Sequence, residues 1–76
     1  MAWVGFIKTR YKNLVVRVED TPEAGCLVKL YDGETIVGEE SDENPQQAVA
    51  KLVQLAQRYL NDNSITAESI DWAQKR

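Results

Sequence analysis

The stretch PQQAVAKLVQLAQRYLN, Pro45 to Asn61, decides the architecture. At about 100° per residue, Ala48, Val49, Leu52, Val53, Leu55, Ala56, Tyr59 and Leu60 fall within a little under half of a helical wheel. Gln46, Gln47, Ala50, Lys51, Gln54, Gln57, Arg58 and Asn61 take the remainder. Asn44 can accept from the first free amides, and Pro45 suits the first helical position because its missing N–H costs nothing there. Glu39, Glu40, Asp42 and Glu43 lie just upstream, near the positive end of the helix dipole. The apolar stripe has to be buried against another layer, and the N-terminal half is the only part of the chain that can supply one.

That half reads as strands. Trp3 to Lys8 alternates loosely, with Val4 and Phe6 on one side and Trp3, Gly5 and Ile7 on the other. Leu14 to Glu19 alternates cleanly, Leu14, Val16 and Val18 against Val15, Arg17 and Glu19. Asp20 to Gly25 has the composition of a loop. Cys26 to Tyr31 and Glu34 to Glu39 form a hairpin around Asp32-Gly33. A two-residue turn would set Val28 opposite Val37, and a three-residue loop ending in a left-handed Gly33 would set Val28 opposite Ile36. The second register is preferred, because it gathers Cys26, Val28, Leu30, Ile36 and Gly38 on the helix side, with Gly38 allowing close approach. After the helix, Asp62-Asn63-Ser64 breaks the pattern. Thr66 is positioned to cap a short second helix through Gln74, with Ile65 and Ile70 as its hydrophobic staple. The fold expected is α+β, a small antiparallel sheet of three to four strands in β-β-β-β-α-α order, packed on one long helix, with a short C-terminal helix.

The totals bound the function. Seventy-six residues make one domain, 1–76, close to the size at which a single core suffices. The single cysteine, Cys26, cannot form an internal disulfide, no signal peptide is legible, and no apolar run approaches ~20 residues, so a cytoplasmic protein off the membrane is expected. The absence of histidine removes the usual neutral-pH base and the commonest metal ligand, and the four glycines are too scattered for a phosphate loop. No enzyme activity, cofactor or metal is expected. Glu39 and Glu43 could form a carboxylate pair, but beside an exposed turn they read as solvated, and Cys26 reads as a buried structural thiol.

Twelve acids against nine bases leave a net charge of −3, and their distribution says more than their sum. Lys8, Arg10, Lys12 and Arg17 form a segment without acids, with Tyr11 as one stacking ring. Asp32, Glu34, Glu39, Glu40, Asp42 and Glu43 form a tract without bases. Complementary solvated charge on neighbouring elements accounts for both. If one is a working surface, the acidic tract points to a basic protein partner, such as a nucleic-acid-binding subunit. The basic segment points to nucleic acid, which the negative net charge disfavours. Trp3, Tyr11 and Trp72 are the alternative, apolar anchors.

From Gly25 to Leu60 the order is a hairpin at Asp32-Gly33, then Ile36-Val37-Gly38, an acidic connector, Asn44-Pro45, and a helix carrying Ala48, Ala50-Lys51, Leu55 and Ala56. This resembles small bacteriophage anti-CRISPR inhibitors of type I systems, in which a short antiparallel sheet packs on one or two helices. It is also similar to HicB-type antitoxins, whose pattern expects a further strand where Thr66 to Gln74 looks helical here. The double-stranded-RNA-binding domain shares the strand-to-helix exit, but Gln46-Gln47 stands where it has a basic helix start. The phage resemblance implies a protein that blocks a basic channel or subunit with carboxylates in the place of phosphates, here Asp32, Glu34, Glu39, Glu40, Asp42 and Glu43.

Overall fold

The computed structural model describes residues 2–23 and 25–73. Strands β1 (Ala2–Lys8), β2 (Asn13–Thr21), β3 (Gly25–Asp32) and β4 (Thr35–Asp42) precede helix α1 (Pro45–Leu60). A 3-10 turn (Ala67–Ser69) and strand β5 (Ile70–Ala73) follow it. The strands form one antiparallel sheet in the order β4-β3-β2-β1-β5, so the chain meanders outward to β4 and then returns over the sheet to add β5 at the far edge. No helix among the described residues is long and apolar enough to cross a membrane.

The α1 boundaries follow from its caps. The Asn44 side chain accepts from the Gln46 N–H at 2.9 Å. At the other end Asn61 adopts φ +52°, while its N–H and that of Asp62 donate to the carbonyls of Arg58 and Gln57. Ala48, Leu52, Val53 and Ala56 are buried, Val49, Leu55 and Leu60 partly so, and Arg58 is exposed. They pack on β3 and β4, and Ile7 of β1, Leu14, Val16 and Val18 of β2, Cys26, Val28 and Leu30 of β3, with Ile65 and Ile70, belong to the same core. Tyr59, placed in the apolar stripe by the wheel, is exposed at the stripe's border and uses its hydroxyl instead.

Three expectations are corrected. First, Thr66 to Ala73 is not a helix: one 3-10 turn leads into β5, so the sheet has five strands and the order is β-β-β-β-α-β. The last residue of the expected helix, Gln74, lies outside the described residues. Ile70-Asp71-Trp72-Ala73 alternates with a period of two, and the edge of β1 offers unpaired backbone groups that a short helix would leave open. Ile70 pairs with Ile7, and Trp72 with Gly5.

Second, neither hairpin register occurs. The turn is Gly33-Glu34 between paired Asp32 and Thr35, and Gly33 has φ +64°, as the first position of a type II′ turn requires. A bulge then shifts the pairing from Tyr31↔Ile36 to Leu30↔Gly38, which sets Val28 opposite Glu40. Third, Ile36 consequently points away from the helix and is 55% exposed, while the extra residue, Val37, packs on the core. Gly38 does lie under α1: a β-carbon there would stand 3.2 Å from Leu55 Cδ1, so the close approach is to a side chain. β4 also runs on to Asp42, which places Glu39, Glu40 and Asp42 in an edge strand.

Candidate functional site

Residues paired across an antiparallel sheet point to the same side. Trp3 pairs with Val18 and Trp72 with Gly5, so both tryptophans stand on the helix-facing side, beyond the strands that α1 covers. Between them and the first half of α1 runs a groove of about 330 Å³, lined by Trp3, Val18, Asp20, Cys26, Pro45, Val49 and Trp72. Trp3 and Trp72 remain 40% and 37% exposed. Trp72 can lie against the sheet because the residue beneath it is Gly5, where a β-carbon would come within 2.8 Å of the indole. Cys26 is buried on the groove floor, and burial followed by the nearby Asp20 charge pushes its thiol up from the usual range, which suits a structural role.

One end of this groove is acidic. Asp20 pairs with Cys26, and Cys26 with Asp42, so one row crosses the sheet at that end. Glu23 lies in the β2–β3 turn beyond it, and the Glu43 backbone passes beside Gly25, close enough that a β-carbon there would be 2.8 Å from Glu43 Cα. Gly25 takes φ +75° at this crossing. Asp42 is already engaged. Its carboxylate accepts the Asn44 N–H at 2.9 Å and sits 3.2 Å from Lys51 Nζ, and these two partners, the amide first, hold its carboxyl below the usual range. Asp20, Glu23 and Glu43 are exposed.

The acidic tract is therefore divided. Asp42 lies in the row of Asp20 and Cys26, with Glu43 next along the chain; Glu40 faces the helix side of β4; Glu39 faces the other side, paired with Lys29; and Asp32 and Glu34 lie at the opposite end of β4. At about 3.3 Å per residue, that strand separates the two ends by roughly 23 Å. Asp32 is committed internally: Tyr59 OH donates to its Oδ2 at 2.6 Å and Lys12 Nζ at 2.9 Å, and these bonds, the tyrosine's first, lower its pKa. The same contacts raise Lys12 and Tyr59, whose ring lies 5.8 Å from the ammonium.

The basic segment is divided too. Lys12 is held by Asp32, Arg17 projects from the face opposite the helix, and Lys8 and Arg10 border shallow polar hollows with Asp62 and Ser64. Tyr11 is 74% exposed at that end. Asp20 is not legible as part of the site in the sequence because it lies 22 residues before Asp42, and only the β2–β3–β4 pairing brings the two into one row, with Glu23 in the adjoining turn. Among the described residues, no three of His, Cys, Asp and Glu converge as a metal site would require. Neither a family model, nor a curated protein, nor a solved structure matches this chain.

Proposed function

We propose that this chain is a small non-enzymatic binding protein of the inhibitor class, and that its working surface is the acid-rimmed tryptophan groove, which docks a basic segment of a protein partner. The observation that carries this reading is that Trp3, Trp72 and Asp20 line one groove, with Asp42 in the cross-strand row of Asp20 and Cys26 and the Glu43 backbone beside Gly25. Aromatic anchors supply contact area at interfaces, indole faces attract guanidinium and ammonium groups, and surrounding carboxylates raise the encounter rate with a basic surface. The acidic surface is thus narrowed from six residues to the groove end, with Asp20 and Glu23 added.

A partner of this chemistry fits the phage-inhibitor resemblance, in which the target is a nucleic-acid-binding subunit. A second reading, a HicB-type antitoxin, gains support from β5, since a strand after the helix is what that pattern expects. Both use the groove against a basic protein.

Titration of the tryptophan emission with arginine-containing peptides, at low and high salt, tests the reading. The expected result is a saturable emission shift that weakens steeply with ionic strength and disappears in an Asp20→Lys/Glu43→Lys double variant that still folds. Emission indifferent to the peptides, or a response unchanged by the charge reversal, overturns it.

A further inference from the structure

Two indoles share the groove with one carboxylate. On the helix side of the sheet Trp72 stands opposite Gly5, and Trp3 lies two residues along from Gly5, so the tryptophans are diagonal neighbours on β5 and β1. Positions so related lie roughly 7–8 Å apart, a spacing at which one cation comes within ~6 Å of both rings. The contact over Gly5 holds Trp72 down on the sheet, and Pro45 and Val49 of α1 form the opposite wall. At about 330 Å³ the space is at the small end of ligand sites, which suits one long side chain.

The lining decides which cation. An indole N–H is a donor only, the side chains of Val18, Pro45 and Val49 offer neither donor nor acceptor, and the Cys26 thiol is a weak acceptor. Among the described residues that line the groove, Asp20 therefore supplies the one strong side-chain acceptor. Asp42, in the same row, is already taken by the Asn44 amide and Lys51. A guanidinium brings five N–H donors and a primary ammonium three, so either leaves donors without partners between the indoles, which weakens binding. A trimethylated ammonium carries the same charge with no N–H at all. It presents methyl groups to the ring faces, the arrangement by which aromatic walls recognise quaternary ammonium ions.

We propose that the group this groove takes from its partner is a trimethylated lysine, held between Trp3 and Trp72 with Asp20 balancing its charge. The proposal rests on the reading of the groove as the dock for a basic segment, and it assigns that segment's anchor. Arginines and unmodified lysines keep their donors in water at the acidic end, and the methylated side chain enters.

Fluorescence anisotropy of labelled arginine-containing peptides tests it, with one lysine left free, trimethylated, or replaced by the uncharged analogue in which carbon takes the place of the ammonium nitrogen. The trimethylated peptide is expected to bind about tenfold tighter than the lysine form, and the uncharged analogue no tighter than lysine. Trp3→Leu keeps an apolar wall without a ring and should abolish the preference. Trp72→Phe keeps a ring over Gly5 and should reduce it about threefold. Asp20→Asn should weaken the trimethylated peptide and leave the uncharged one unchanged. Equal affinity for the lysine and trimethyllysine peptides, equal affinity for the trimethylated and uncharged forms, or a preference that survives Trp3→Leu in a folded protein would each overturn the proposal while leaving the basic-segment reading intact. Absence of binding by every peptide overturns both.

Discussion

Trp72 rests on Gly5. A β-carbon built on Gly5 would stand 2.8 Å from Trp72 Cε3 and 2.8 Å from Ile70 Cγ2, so the missing side chain lets β5 lay its indole on β1. The contact seats the edge strand β5 on β1 and builds one wall of the groove. Gly5→Ala has to displace the ring or the strand, and overpacking of this kind costs typically ~1–3 kcal/mol. The expected outcome is a lower melting temperature together with a red-shifted tryptophan emission. A substitution that leaves both unchanged would show that the indole is not held against the sheet.

The core depends on Leu52, which is fully buried between α1 and the sheet. Leu52→Ala removes apolar contact and leaves a cavity, at a cost of roughly 2–5 kcal/mol. In a domain of this size each kcal/mol corresponds to about 4–8 °C in melting temperature. Gln54→Ala, on the exposed side of the same helix, should change stability by less than about 0.5 kcal/mol. Equal shifts for the two would mean that the buried face is assigned wrongly.

Asn61 ends α1 with φ +52°, a conformation that glycine adopts freely and a β-branched residue resists. Asn61→Val should therefore destabilise by about 1–2 kcal/mol, whereas Asn61→Gly should be close to neutral. Thermal unfolding of the pair separates backbone strain from loss of the side chain. If glycine were as damaging as valine, the asparagine side chain would matter more than the backbone sign.

Asp32 gives a pH dependence of defined direction. The Tyr59 hydroxyl and the Lys12 ammonium lower its pKa in the folded state, so the stability it contributes is present above the unfolded carboxylate value, about 3.9, and is lost as pH falls through the folded one. Asp42 behaves in the same way through the Asn44 amide and Lys51. Asp32→Asn should flatten the acid limb of stability below pH ~4 and cost stability at neutral pH. An acid limb identical to the wild type would mean that the Tyr59–Asp32–Lys12 contacts do not persist in solution.

The sequence by itself determined whatever depends on short-range periodicity. The α1 stripe, its Asn44-Pro45 start and its end near Asn61, and the alternation of β2 and β3 are all local, and burial follows from them directly. Tertiary structure decided the rest. Ile70 to Ala73 is too short for its period to outweigh a plausible helix cap, and it becomes a strand because the β1 edge supplies partners 63 to 69 residues away in sequence, Ile7 for Ile70 and Val4 for Ala73. The hairpin register turned on the Gly33-Glu34 turn and one bulge: the turn pairs Ile36 with Tyr31 on the face away from the helix, and the extra residue at the bulge, Val37, packs on the core. The candidate site shows the same division. The carboxylates and tryptophans could be named individually, but pairing through β2 and β3 splits Asp32 and Glu34 from Asp42 and Glu43 and brings Asp20 to the tryptophan groove. Charge clustering along a chain specifies proximity only where the backbone stays local, and an extended strand separates in space what the sequence keeps together.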